Sequence, residues 1–177
     1  MAFYIQRILY KGAQKLQYMI RKMKEEDIKQ VQSVAKDSWH ATYEGIIPLT
    51  IQDRFLAEAY NDDMMQRRLA HSLIFVAEVD GTVVGFANYG KVNEQKEAEL
   101  AAVYILPAYQ GLGIGSAFLQ AGIEAIDNVQ KIIVEVEKEN DIGKGFYLAK
   151  GFHIIAEYDN PFEGHPLKTI RLQLDVA

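Results

Sequence analysis

Gln110-Gly111-Leu112-Gly113-Ile114-Gly115-Ser116 is the stretch of this chain whose residue types and spacing prescribe a chemistry most clearly. It follows a strand-like run at residues 100–106 and opens a helical pattern at residues 114–127. Three glycines at alternate positions let the main chain approach a ligand without Cβ collisions, and the first amides of a helix lack internal acceptors. A helix contributes roughly half a positive charge at that end, so the turn suits a diphosphate without needing a lysine.

Two better-known phosphate turns do not match. A P-loop requires Lys-Ser or Lys-Thr after its last glycine, whereas Gly115 is followed by Ser116-Ala117. The dinucleotide fingerprint is G-x-G-x-x-G, and here the spacing is G-x-G-x-G, so Glu135, placed about 20 residues on as a ribose-binding acid would be, does not complete it.

What remains is Q-x-x-G-x-G after Val103-Tyr104-Ile105-Leu106-Pro107, which resembles the cofactor motif of the GNAT superfamily of acetyl-CoA-dependent N-acetyltransferases. A second stretch, Asn140, Gly143 and Gly145-Phe146-Tyr147-Leu148-Ala149-Lys150-Gly151-Phe152, resembles the family's N-x-x-A-x-x-x-Y-x-x-x-G-F, with Gly143 in place of the usual alanine. The resemblance extends over about residues 19–175, and its specific part is residues 99–152.

That resemblance implies an α/β fold. Its central mixed sheet has about seven strands, antiparallel at the start and splayed between the fourth and fifth, with helices on both faces. The parting strands are residues 100–106 and 131–136, and the pantetheine arm of acetyl-CoA fills the gap between them. Main-chain groups of Val103 and Ile105 then bind pantetheine, with Tyr104 a polar wall residue. Amides of Gly111, Gly113, Gly115 and Ser116 hold the pyrophosphate, with Gln110, Leu112 and Ile114 completing the turn. Asn140 is expected to hydrogen-bond the pantetheine, or to form a turn at a strand end.

Transfer to an amine needs a neutral nucleophile, yet an alkylamine with a pKa near ~10.4 is less than about 0.1% neutral at pH 7. Glu99, at the start of the fourth strand where the family often has an acid, is the first candidate for general base; Glu97, of the same side-chain parity, is the second. An exposed strand-end carboxylate is the other reading of Glu99. Tyr147 occupies the family position from which a phenol returns a proton to the departing thiolate, or else packs beneath the sheet beside Phe146. With no cysteine in the chain, no protein thiol can carry the acetyl group, and transfer is direct.

For the acceptor, Trp39-His40-Ala41-Thr42-Tyr43-Glu44-Gly45-Ile46-Ile47-Pro48 resembles the W-x-x-x-Y-x-G-x-x-P of many family members, a stretch between the first two helices. Trp39 and Tyr43 would form an aromatic wall for an ammonium, with Glu44 adding charge, although Trp39 also suits a core. The four histidines lie in no metal-ligand spacing, so no metal is expected. The loop at residues 159–166 either shapes the acceptor entrance or is a plain hairpin connection.

The elements that must position these residues are legible in outline. The 177 residues, 49% hydrophobic, suffice for one core. Helical periodicity runs over residues 25–38, with Ile28, Val31, Val34 and Ala35 on one face, and over 51–69. Strands are expected at 73–79 and 83–89 around an Asp80-Gly81 turn, then at 100–106, 131–136, 152–158 and 169–175, with helices at 114–127 and 141–150. Residues 19–23 resemble the family's opening strand. Residues 1–18, with Arg7, Lys11 and Lys15 and no acid, are set apart as an extension, an expression remnant or a basic surface helix, and 19–177 form the N-acetyltransferase domain.

A net charge of −5 argues against nucleic acid as the main partner, and no apolar run reaches the roughly 18 residues that span a bilayer. The expectation is a cytoplasmic N-acetyltransferase acting directly on a small primary amine in a ternary complex, with no nucleic-acid or membrane partner. Polyamines, amine metabolites or drugs, and protein N-termini or lysines are the acceptors in that order. The alternative is a silent module that binds acyl-CoA without turnover. Relatives suggest a homodimer by analogy.

Overall fold

The computed structural model describes residues 4–11 and 14–176. Residues 1–3, 12 and 13 of the N-terminal segment, and residue 177, lie outside the described residues. Eight strands form one sheet in the order β1-β2-β3-β4-β5-β6-β8-β7. The first five, β1 (Tyr4–Lys11), β2 (Gln14–Lys22), β3 (Leu73–Val79), β4 (Thr82–Tyr89) and β5 (Glu97–Ile105), run antiparallel in sequence. At the β3–β4 turn Asp80 and Gly81 have φ of 47° and 77°, the left-handed pair that a two-residue hairpin requires.

The strand count is eight rather than about seven because the N-terminal segment adds β1. A break drawn after residue 18 falls inside β2, and residues 4–11 are a strand instead of a surface helix. Arg7 Nη2 donates to Gln120 Oε1 at 2.8 Å, tying β1 to α4 (Ile114–Ala125). On the other flank of β2, Arg21 grips the buried Asp27 through two bonds of 2.7 and 2.8 Å and reaches Glu78 at 2.8 Å. Burial works against the Asp27 charge, but Arg21 and the Lys24 N–H outweigh it and hold the carboxyl below the ordinary aspartate range.

Helix α1 (Ile28–Tyr43) runs five residues past its expected end, because Ser38 and Trp39 continue the buried stripe of Val31, Val34 and Ala35. The single helix expected over 51–69 is two, α2 (Leu49–Ala59) and α3 (Asp62–His71). Asn61 divides them: its side chain accepts from Met64 N at 2.9 Å and starts a new helix.

After β5 the chain passes through α4, β6 (Lys131–Glu137), α5 (Asp141–Ala149), β7 (His153–Asp159) and β8 (Lys168–Asp175). One core, around Phe75, Tyr89, Phe118 and Leu172, lies between the sheet and α4. The other, around Val31, Trp39, Met65 and Phe86, lies on the opposite face under α1–α3.

Candidate active site

The sheet comes apart where the family resemblance implied. Strands β5 and β6 pair in parallel only at Glu97–Lys131, Ala98–Ile132 and Glu99–Ile133, and beyond these they diverge. Leu106 N–H donates to Val84 O on β4, so by alternation the polar main-chain groups of Val103 and Ile105 face the other way, into the gap. A bulge matters here. Asn88 pairs with Ala102 and Tyr89 with Leu100, leaving Ala101 unpaired. It reverses the side-chain alternation: Ala98 and Leu100 face α4, whereas Ala102 and Tyr104 face α1.

A cavity of 650 Å³ follows the gap. Of the proposed cofactor residues, Val103, Tyr104, Ile105, Gln110, Gly111, Gly113, Ile114, Gly115, Ser116, Asn140 and Tyr147 line it, and Leu112 does not. The turn is held open by backbone conformation. Gly111 and Gly113 have φ of 73° and 81°, which side-chain-bearing residues rarely adopt. Gly115 has a different reason, since a Cβ there would lie 3.0 Å from the Phe146 ring.

The first helical bond of α4 runs from Ala117 N to Gly113 O, so the amides of residues 113–116 precede the hydrogen-bond ladder. Gln110 Nε2 donates to Ile105 O at 3.1 Å, lashing the turn to the strand end. This geometry suits a pyrophosphate lying on the α4 end, with an extended amide-bearing arm in the gap.

Asn140 and Gly143 explain each other. The Asn140 Oδ1 accepts from Gly143 N at 2.9 Å and caps α5, and a Cβ at Gly143 would lie 2.7 Å from Asn140 Nδ2. Glycine in place of the family alanine thus leaves room for the cap. Tyr147, only 7% exposed, packs edge-on against Phe146 and Phe152 at 5.2 Å each, yet also lines the cavity. Burial pushes its phenol well above the ordinary tyrosine range, so it stays protonated at neutral pH.

Several wall residues lie at unspecified positions of the motifs or, like Ser38, just outside them. Ser38, Ala41 and Thr42 of α1 line the cavity, as does Lys150 beyond α5. Ser38 is 2% exposed, and its Oγ has no hydrogen-bond partner among the described residues. A buried, unpaired hydroxyl in this wall fits a site that receives a polar ligand group. Tyr18 of β2 supports the turn from below, with its hydroxyl 3.5 Å from where a Gly113 Cβ would stand.

The aromatic stretch singled out for the acceptor lies on the α1 side of the gap. Trp39 is buried and does not line the cavity; its ring lies 4.5 Å from those of Tyr43 and Phe55 and 5.8 Å from Phe162. It backs the wall instead of forming it. Phe162 belongs to the β7–β8 connection, which also bonds α2 through Arg54–Glu163 at 2.5 Å and the α1–α2 connection through His165 Nε2 to Ile46 O at 2.9 Å. Glu44 lines a second cavity, of 730 Å³, beneath that connection.

The carboxylates sort themselves. Glu97 is engaged by Asn93 at 3.2 Å and Lys131 at 3.4 Å. Glu99 is exposed, has no such partner among the described residues and stands at the closed end of the gap, outside the cavity wall. Glu137, which no motif marked, stands at the end of β6 and, like Glu99, is not among the residues that line the cavity. Counting up the parallel register from Glu99–Ile133 brings it level with Val103 and Tyr104 across the gap. Ile132, Val134 and Val136 face α4, so by alternation Glu137 faces α1, where its charge bears on the Tyr43 phenol. Burial raises its carboxyl above the ordinary glutamate range, against the lowering pull of the Glu139 N–H that bonds it at 2.7 Å.

A channel between parting strands, a glycine turn opening a helix and a buried phenol are together the arrangement that the resemblance implied for an acyl-CoA transferase. The acetyltransferase (GNAT) family model matches residues 31–152, and the chain belongs to that family of N-acetyltransferases. It is 33% identical over 159 residues to the uncharacterized N-acetyltransferase YuaI of Bacillus subtilis, covering 86% of this chain and 90% of that one. It is 30% identical over 145 residues to a spermidine N(1)-acetyltransferase of Thermoplasma acidophilum, covering 76% and 88%. The crystal structure of PaiA N-acetyltransferase from Thermoplasma acidophilum in complex with coenzyme A superposes with a TM-score of 0.78 at 23% identity, over 90% of this chain and 99% of that one.

Proposed function

We propose that the protein transfers an acetyl group from acetyl-CoA directly to a primary amine while both are bound. The reading rests above all on one cavity that joins the amide-rich α4 turn to the buried Tyr147 phenol along the β5–β6 gap. Val103 and Ile105 would hold the pantetheine amides, Gly111, Gly113, Gly115 and Ser116 the pyrophosphate, and Lys150 would add a cation nearby.

Glu137 would take a proton from the acceptor ammonium, directly or through water, because its register brings it level with Val103 and Tyr104 across the gap and burial raises its basicity. The freed amine attacks the acyl carbon, the carbon–sulfur bond breaks, Tyr147 gives its proton to the sulfur, and the second proton lost by the nitrogen returns through water to the Tyr147 oxygen. Glu99 is the second choice for base, reaching the amine only through water from the closed end of the gap. The acceptor class favoured is a small amine of the polyamine kind, supported by the spermidine N(1)-acetyltransferase relative.

Thiol release from acetyl-CoA across a panel of amines and a lysine peptide tests the reading. Amine-dependent thiol is the expected result. Tight coenzyme A binding with no thiol released by any acceptor would instead indicate a silent binding module.

A further inference from the structure

We propose that the 730 Å³ cavity beneath the α1–α2 connection is a subsite for the distal ammonium of a linear polyamine, an inference that rests on the amine acetylation proposed above. Ala41 belongs to the walls of both this cavity and the cofactor cavity. An acceptor chain with its reacting amine at the thioester and its tail in the second space would pass over α1 at Ala41.

The unmatched groups in the second cavity are an anion and a hydrogen-bond acceptor. Glu44 has no ion-pair or hydrogen-bond partner among the described residues. Gln52 is 2% exposed, and its Nε2 is spent on Ile47 O at 2.8 Å and Tyr43 O at 3.2 Å. Those two carbonyls fix the amide orientation and leave Oε1 without a donor. A buried acceptor in that state is costly unless something donates to it.

The remaining polar side chains in the wall are already engaged: His40 Nε2 with Asp53 Oδ1 at 2.8 Å, and His165 with Ile46 O. The cavity lies between the C-terminal end of α1 and the N-terminal end of α2, so the two helix dipoles oppose each other there and the side chains decide the charge it takes. An ammonium supplies both the positive charge and the missing donors, and methylene spacers suit the Ile46, Pro48 and Leu49 side of the cavity.

The test compares spermidine with a monoamine of similar length, for the full chain and for Glu44→Gln, an exposed position where the fold tolerates change. The expected result is a kcat/KM preference for spermidine that Glu44→Gln narrows by about fivefold, and that falls with added salt. Leu49→Trp, which fills the cavity, should narrow the same preference. Equal use of monoamine and spermidine, or strong preference for a peptide, would overturn the subsite while leaving amine acetylation standing. Spermidine titrated into the coenzyme A complex separates the two claims further. Binding weakened by Glu44→Gln supports the subsite even without turnover, and no binding overturns it.

Discussion

On its cofactor side the gap is walled largely by main chain from two short stretches, residues 103–105 and 110–116. Its α1 side is lined by Ser38, Ala41 and Thr42 and backed by the rings of Trp39, Phe55 and Phe162 from α1, α2 and the β7–β8 connection. The difference teaches where information sits. A wall of amides depends on backbone conformations such as the left-handed Gly111 and Gly113, and those impose a short residue spacing. A wall of side chains imposes none, because its members meet only after folding.

The largest effects should fall where both walls meet. Tyr147→Phe and Glu137→Gln should each lower kcat by about a hundredfold with the KM for acetyl-CoA within about threefold, as steady-state kinetics can show. Glu99→Gln should stay within about threefold of wild type; a reversed order of the two glutamates would move the base to the closed end of the gap. The pH profile sharpens this. Glu137 must be ionised to accept a proton, so kcat/KM should fall in acid through a pH above the ordinary glutamate range, and Glu137→Gln should lose that limb. Tyr147 must stay protonated, and burial delays its loss, so any alkaline limb it causes lies above the ordinary tyrosine range.

Next in size is Gly113→Val. A β-branched residue at φ 81° should raise the KM for acetyl-CoA ten- to a hundredfold, by about 1–3 kcal/mol of strain, and alter the acceptor KM far less. Smallest is Phe162→Ala, which removes one ring from the Trp39–Phe55 cluster. It should raise the acceptor KM a few-fold without touching the cofactor KM. Equal changes in both constants for either variant would mean that the two walls do not act separately.

Much of the cofactor wall was legible in the sequence, since local periodicity and glycine spacing report on contiguous chain. The strands around Asp80-Gly81 and the α4 turn followed from such signals, whereas the β5–β6 gap was implied by the family resemblance. The Ala101 bulge did not. It turns Tyr104 toward the α1 side, although plain alternation from Leu100 would put it toward α4, and nothing in the residue types there marks it. Asn61, inside a continuous helical stripe, ended one helix by capping another. Glu137 escaped notice because its placement depends on parallel register with a strand 34 residues earlier at the paired ends, as Glu97–Lys131 shows. Tyr18 lay in a segment whose relation to the glycine turn exists only in three dimensions.

The location of coenzyme A in a crystal of its complex with this chain tests the central claim most directly. The account predicts phosphate oxygens on the amides of residues 113–116 and pantetheine amides paired with Val103 and Ile105, with the sulfur beside Tyr147. Coenzyme A bound with its sulfur away from Tyr147, or with β5 and β6 closed against each other, would contradict it.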